Sequence, residues 1–289
     1  MAGIKEIRNR IASVASTQKI TSAMKMVSAA KLRKAQQAVL QMRPYSDKLQ
    51  EILQNVSNGL ESNEGNPYSV VRPQNKVLII AVASNSGLCG GFNSSIGKTV
   101  VTLAQNDYAG CNVDVFAIGK KVADSMKSKG IVPKKVFAEI FDKLTYDEST
   151  KISSELMESF ASGAYDKIVV VYNKFKNAAT QIITTSQYLP IEQTEASTSK
   201  KINYDYIFEP NKEYIVNELI PKSLRTQFYN ILLESFASEH GARMTAMHKA
   251  TDNASELLKE LRIEYNKARQ AAITNELNEI VSGANALKG

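Results

Sequence analysis

The chain has 289 residues, 43% hydrophobic and 22% charged, with a net charge of +7; that is enough apolar material for one or two packed domains and too much for a disordered chain. Its longest purely apolar run, Val77 to Ala83, is far short of the roughly 20 residues that cross a membrane as a helix, and no apolar signal core opens the sequence. The two cysteines, Cys89 and Cys111, form neither a disulfide framework nor a metal-ligand spacing, and predict free, buried thiols in a reducing compartment.

The first predicted element is a helix over residues 1–57. From Met1 to Arg43 there is no proline and only one glycine, Gly3. Ile4, Ile7, Ile11 and Val14 alternate spacings of three and four, and the apolar phase continues less strictly through Ile20, Met24, Val27 and Leu32, a coiled-coil-like seam. The same stretch carries Lys5, Arg8, Arg10, Lys19, Lys25, Lys31, Arg33, Lys34 and Arg43 against the single acid Glu6, a net of +8, so the rest of the chain sums to about −1. With almost no acid at i+4 to neutralise it, this helix predicts an acidic counterpart: a protein face, a phosphate backbone or an acidic membrane surface.

The middle of the chain, residues 75–190, alternates strand and helix. Strands are predicted at Val77 to Ser84, Val113 to Ile118, Lys135 to Ile140, Ile168 to Asn173 and Gln181 to Leu189, and helices at Asn93 to Gln105, Lys120 to Lys129 and Glu148 to Ser162. That order predicts a Rossmann-like α/β domain, with a mainly parallel five-stranded sheet covered on both faces.

Its first strand ends in the run Ser84 to Asn93, which holds Gly87, Gly90 and Gly91. Backbone amides at such a turn can cradle a phosphate, but the spacing is not G-x-G-x-x-G. Gly97-Lys98-Thr99 imitates the end of a P-loop, yet Phe92 stands where its first glycine belongs, and a helix starting near Asn93 puts Lys98 and Thr99 beyond the turn that wraps a phosphate. A tight turn for close strand–helix packing is the better reading.

The last element is a helix over residues 210–289. Lys222 to Gly289 contains no proline and, before Gly283, only Gly241. Uninterrupted, this stretch would run roughly 100 Å at 1.5 Å per residue, about twice the roughly 50 Å diameter expected of a globule of this length. Leu219, Ile220, Leu224, Phe228, Ile231, Leu232, Ser235 and Phe236 form a broad face suited to a sheet. Met247, Thr251, Ala254, Leu258, Leu261, Tyr265, Ala268 and Ala272 then form a narrow seam that can pair antiparallel with the N-terminal one. Past it the register dissolves into Asn275, Glu279 and Ser282, leaving the last turns without a helical partner. The fold class is therefore α/β: a long antiparallel two-helix coiled coil from the terminal helices plus the central domain.

Catalytic groups are not evident. His240 and His248 stand eight apart with no cysteine or paired carboxylate at ligand spacing, and no aromatics interleave with the basic stretch to stack bases. Composition and spacing leave a mechanical or scaffolding part as the leading reading. A nucleotide-dependent enzyme built on the α/β domain and a coiled-coil nucleic-acid-binding protein are the alternatives, separable by ATP binding lost at Lys98 and by salt-steep DNA binding.

The run from Ile273-Thr274-Asn275-Glu276 to Gly283-Ala284 resembles the signature of the F-type ATP synthase gamma subunit family. Thr17-Gln18-Lys19-Ile20-Thr21, Ala23-Met24-Lys25-Met26-Val27, Gly87-Leu88-Cys89-Gly90-Gly91-Phe92-Asn93, Tyr172-Asn173-Lys174-Phe175 and Tyr204-Asp205-Tyr206-Ile207-Phe208-Glu209-Pro210 resemble the same family, in order along the chain. The resemblance implies a central rotor axle inside a ring of three alpha and three beta subunits. The α/β domain would be a foot on the membrane c-ring beside the epsilon subunit, coupling c-ring rotation to conformational change at the beta-subunit catalytic sites. It implies no catalytic residue, cofactor, metal or nucleotide in this chain, no nucleic-acid partner, and a peripheral place on the cytoplasmic face of a bacterial inner membrane, reached through the c-ring. By position, Arg269, Gln270, Met24 and Lys25 would contact beta; Ile273, Ile280, Ala284 and Leu287 would form the tip in an alpha/beta sleeve; Tyr204, Tyr206, Phe208 and Glu209 would contact the c-ring or epsilon. Leu189 to Asn203 is short and cysteine-free, unlike the thiol-regulated insertion of plastid forms.

Overall fold

The computed structural model describes residues 3–57, 67–191 and 212–286. In chain order the elements are α1 (Ile4–Ser57), β1 (Lys76–Val82), α2 (Phe92–Thr102, continued by a π turn at Leu103–Asp107), β2 (Asn112–Ile118), α3 (Lys120–Lys127), β3 (Lys135–Phe137), a 3-10 turn at Glu139–Phe141, α4 (Tyr146–Ala161), β4 (Lys167–Phe175), β5 (Gln181–Leu189) and α5 (Lys212–Ala286). The chain divides into two compact units, Ala29–Arg243 and Met1–Ser28 with Met244–Gly289.

In the larger unit the five strands stand in the order β3-β2-β1-β4-β5. β1, β2, β3 and β4 run parallel and β5 antiparallel to β4, as the alternation of strands and helices predicts. Because side chains alternate along a strand, β1 supplies both cores. Val77, Ile79 and Ala81 pack with Phe92, Ile96 and Val100 of α2 and Val122 and Met126 of α3. Leu78, Ile80 and Val82 pack on the other face with Leu156 and Phe160 of α4 and Leu224, Phe228 and Leu232 of α5. The broad apolar face expected near the start of the last helix is thus the one that covers the sheet. Tyr188 of β5 donates its hydroxyl to the Leu224 carbonyl at 3.1 Å inside this core.

Both long helices run through a proline, Pro44 in α1 and Pro221 in α5. Each removes one ladder hydrogen bond at a cost of about 3 kcal/mol. Buried neighbours offset it: Leu49 on α1, and Ile220 and Leu224 on α5. The third strand is shorter than the predicted run, because the chain turns into the 3-10 segment after Ala138 and Ile140 enters the core from that turn.

Gly241 lies inside α5 because the helix backbone there touches the β4–β5 turn. A Cβ at this position would meet the Ala178 Cα and carbonyl oxygen, both at 3.2 Å. Gly241→Leu is expected to push that turn away and cost about 1–3 kcal/mol, read as a lower thermal midpoint; an unchanged midpoint would show that the turn yields freely.

Candidate functional site

The glycine-bearing loop between β1 and α2 is tied inward. Ser84 N and Oγ lie 3.0 and 2.9 Å from Asn93 Oδ1, and the Asn85 side chain donates to the Ala138 carbonyl at 2.6 Å while accepting from Lys120 N at 3.1 Å. Cys89 is buried beneath it, and burial pushes its thiol pKa up, which suits the expected inert thiol. Gly97 sits inside α2, where a Cβ would come within 2.7 Å of Ser125 Oγ on α3. Thr99 Oγ1 turns back onto the Ser95 carbonyl at 3.1 Å, and Lys98 points to solvent. Gly97-Lys98-Thr99 is therefore a helix–helix contact without the geometry of a phosphate loop. Among the described residues no group of three or more His, Cys, Asp or Glu could hold a metal ion.

The smaller unit is a pair of helices. Gln18 Nε2 donates to Ser255 Oγ at 2.7 Å and Thr251 Oγ1 to Thr21 Oγ1 at 2.9 Å; partners descend along α5 as they ascend along α1, so the pair is antiparallel. On α5 the inward positions are Met247, Thr251, Ala254, Leu258, Leu261, Tyr265, Ala268 and Ala272, the predicted seam.

On α1 the seam differs from the predicted one between Val14 and Leu32, while Leu32, predicted on it, is buried. Ile20 and Val27 are each 57% exposed. The inward positions are instead Gln18, Thr21, Lys25 and Ser28, buried or half-buried, which hold the spacing of four and three begun at Ile7, Ile11 and Val14. Polar side chains fill this seam, so following apolar residues alone lost its phase. Ser28 Oγ satisfies itself on the Met24 carbonyl at 2.8 Å. A double-mutant cycle of Thr21→Val with Thr251→Val should show a coupling of about 1 kcal/mol. Additive effects would mean the two hydroxyls do not meet in solution.

Past Ala272 every α5 side chain through Asn285 is exposed. Arg269 and Gln270 lie just before this end, both exposed. Ile273, Leu277, Ile280 and Val281 are between 47% and 67% exposed, and Ala284 is exposed with them. A row of large apolar side chains on a helix surface marks a contact with something else. On α1, Met24 and Lys25 are half-buried, whereas Lys5, Arg8, Arg10, Lys19, Lys31, Arg33, Lys34 and Arg43 are exposed. Leu287, Tyr204, Tyr206, Phe208 and Glu209 lie outside the described residues.

A charged cluster in the larger unit was not anticipated. Arg243 Nη1 bonds Glu239 Oε1 at 2.6 Å, both side chains 8% exposed, and Arg243 Nη2 donates to the Ser86 carbonyl at 3.2 Å with the Gly87 carbonyl at 3.5 Å. Burial raises the Glu239 carboxyl above its usual range, opposed by the bonded guanidinium. His240, with Nδ1 3.4 Å from Arg243, is pushed down to about 3 by burial first and then by Arg243 and Lys31, so its ring is neutral at physiological pH. The only trace in the sequence is an acid and a base four apart.

A family model described as ATP synthase matches residues 3–287. The ATP synthase gamma chain of Flavobacterium psychrophilum is 57% identical over 290 residues, and that of Flavobacterium johnsoniae 58% over 289, each comparison covering both chains in full. Among solved structures, a chain from the central stalk/c-ring structure of the Tetrahymena thermophila mitochondrial ATP synthase aligns with a TM-score of 0.60 at 26% identity, covering 80% of this chain and 99% of that one. A chain of the Euglena gracilis mitochondrial ATP synthase aligns at 0.71 and 22% identity, covering 98% and 94%, a likeness of fold.

Proposed function

This chain belongs to the ATP synthase gamma chain family, and from that premise we propose how it works. It is a central-stalk subunit of ATP synthase, the rotor part. Its own contribution is mechanical: rotation delivered by the membrane c-ring reaches catalytic sites that lie on beta subunits, and this chain performs no bond-making step. Its partners are three alpha and three beta subunits around the helical pair, with the epsilon subunit and the c-ring at the α/β domain. Among the described residues no helix is long and apolar enough to cross a membrane, which fits peripheral attachment through the c-ring at the cytoplasmic face of a bacterial inner membrane.

The observation that carries this reading is the end of α5, where Ile273, Leu277, Ile280 and Val281 are exposed beyond the paired segment. Such a surface is stable when it turns within an apolar collar formed by other chains. The exposed cations of α1 supply the complementary term, a basic surface facing acidic segments of beta. Met24 and Lys25 are proposed to touch beta from α1, and Arg269 and Gln270 from α5. Ile273, Ile280, Ala284 and Leu287 form the tip. Tyr204, Tyr206, Phe208 and Glu209 are proposed for the foot. The functional division is 1–57 and 210–289 for the axle and 75–190 for the foot.

Torque becomes chemistry through differential contact. A rotor angle shifts nucleotide affinity at one beta site only by the difference in contact energy between that site's open and closed states. About 1.4 kcal/mol of difference is needed for each tenfold change in affinity. A few contacts made at one angle and broken at the next meet that need, and asymmetry of the axle makes the three sites differ at any moment.

The test is Mg-ATP hydrolysis by alpha and beta subunits from the same organism, with and without this chain, alongside size-exclusion chromatography. Co-elution and sustained turnover that depends on the chain are expected. A folded chain that neither joins the complex nor alters turnover would overturn the proposal.

A further inference from the structure

We propose that Arg243, oriented by Glu239, is a latch that transmits torque between helix α5 and the sheet of the larger unit. This rests on the rotor reading above. Torque between the axle and the foot crosses the parts of both long helices that belong to the larger unit, α1 from Ala29 and α5 up to Arg243, and α5 supplies most of the helical cover of the sheet's second face. Most of its contacts there are apolar, from Ile220, Leu224, Phe228, Ile231 and Leu232. Apolar burial resists separation but is non-directional, so it opposes sliding and turning of a helix only weakly. Directional contacts are what hold a helix in angular register.

Arg243 makes such a contact. Its guanidinium is a planar fork, with one arm on Glu239 and the other on the Ser86 and Gly87 carbonyls. A donor of that shape fixes angle as well as distance. The Arg243 side chain is 8% exposed, so water does not readily replace its partners. A buried ion pair is weak evidence for stability, because apolar residues of the same volume commonly serve as well; geometry is the better reason for placing one here.

The loop it holds is itself braced. Ser84 is tied to Asn93, Asn85 to Ala138 and to the start of α3, and Asn173 of β4 donates to the Phe92 carbonyl at 3.3 Å. Force on the Ser86 and Gly87 carbonyls is thereby shared among β1, α2, α3 and β4. Leu88, next in the loop, holds a left-handed φ of 61°, a conformation that persists only where surroundings over-determine it. The latch is also placed at the end of its unit: Arg243 is the last residue of the larger unit, and α5 continues from it into the helical pair. Gly241, packed on Ala178, is the steric stop beside it.

The test uses the complete enzyme in vesicles with Glu239→Gln/Arg243→Met, which removes the fork and both buried charges together. Three quantities are read: ATP hydrolysis without a proton gradient, the gradient reached at a given hydrolysis rate, and amide hydrogen exchange across residues 84–91. The variant is expected to hydrolyse within about twofold of wild type, to exchange in this loop about tenfold faster, and to hold a gradient several-fold smaller. An equal gradient at an equal hydrolysis rate would overturn the torque role, and unchanged exchange would overturn the latch itself. If the double variant fails to assemble, Arg243→Lys replaces it, keeping the charge beside Glu239 without the fork; the same readings decide. A wild-type enzyme that hydrolyses but builds no gradient would sink the rotor reading, while the exchange comparison still judges the contact.

Discussion

Arg269→Ala/Gln270→Ala is expected to slow ATP hydrolysis by the assembled complex about tenfold to a hundredfold and to leave the melting of the free chain where it was. Both side chains are exposed on α5, and a surface position away from caps and cores changes stability by no more than about 0.5 kcal/mol. In the complex they are proposed to meet a loop of beta. A guanidinium beside a carboxamide makes charge-assisted bonds to carboxylates, each worth about 1.5–3 kcal/mol when water is excluded. Losing one such bond from a rotor angle that must be passed in every cycle raises that barrier by a similar amount, and each 1.4 kcal/mol is tenfold in rate. The check is steady-state hydrolysis with co-elution on size exclusion. Turnover within twofold of wild type in an intact complex would remove these two residues from the catalytic coupling. A lowered melting point of the free chain would assign them a structural role instead.

What the sequence disclosed follows the range of the forces involved. Local and periodic signals were legible. The Gln181–Leu189 strand was predicted with the bounds it has, because the consecutive β-branched residues Ile182, Ile183, Thr184 and Thr185 lie between the breakers Asn177 and Pro190. The α5 seam was found whole, since its spacing survives substitution by Thr and Ala. The α1 seam was lost between Val14 and Leu32, where Gln18, Thr21, Lys25 and Ser28 carry it in polar form while Ile20 and Val27 face outward. Those two residues look like core by type and are surface by angle. The Arg243 contact was beyond reach for another reason. Its acceptors are backbone carbonyls at Ser86 and Gly87, which any residue type supplies, and they lie far away in the chain. The candidate contact residues on the tip were named through resemblance alone, because the dissolving register marks the last turns as unpaired but does not say which of their side chains meet another chain.

The largest effect on folding is expected at Gly119, between β2 and α3. Its φ of +102° is one that residues with a side chain rarely adopt, and a Cβ there would stand 2.3 Å from the Ala83 carbonyl oxygen and 2.9 Å from that of Ser84. Neither oxygen can withdraw. The Ala83 amide is held by the Ile118 carbonyl at 2.9 Å, the Ser84 carbonyl by Lys121 N at 3.1 Å, and the Gly119 amide itself bonds the Phe137 carbonyl at 3.0 Å. Strain of about 1–3 kcal/mol from the backbone angle adds to about 1–3 kcal/mol of overpacking, so Gly119→Ala should destabilise the chain by about 4 kcal/mol. In a domain of this size that lowers the thermal midpoint by roughly 8–16 °C. Gly130→Ala separates the two causes: φ is +80° there, but nothing lies within 4 Å of the added Cβ, so about 1 kcal/mol of angle strain remains. If the two variants melt together, the crossing of β1 and β2 ends is looser than these distances say. If Gly119→Ala melts far lower, the strand end that carries Ser84, Asn85 and the carbonyls gripped by Arg243 is fixed by backbone packing. A rotor whose helix pulls on that loop would then be pulling on one of the most rigid points of its foot.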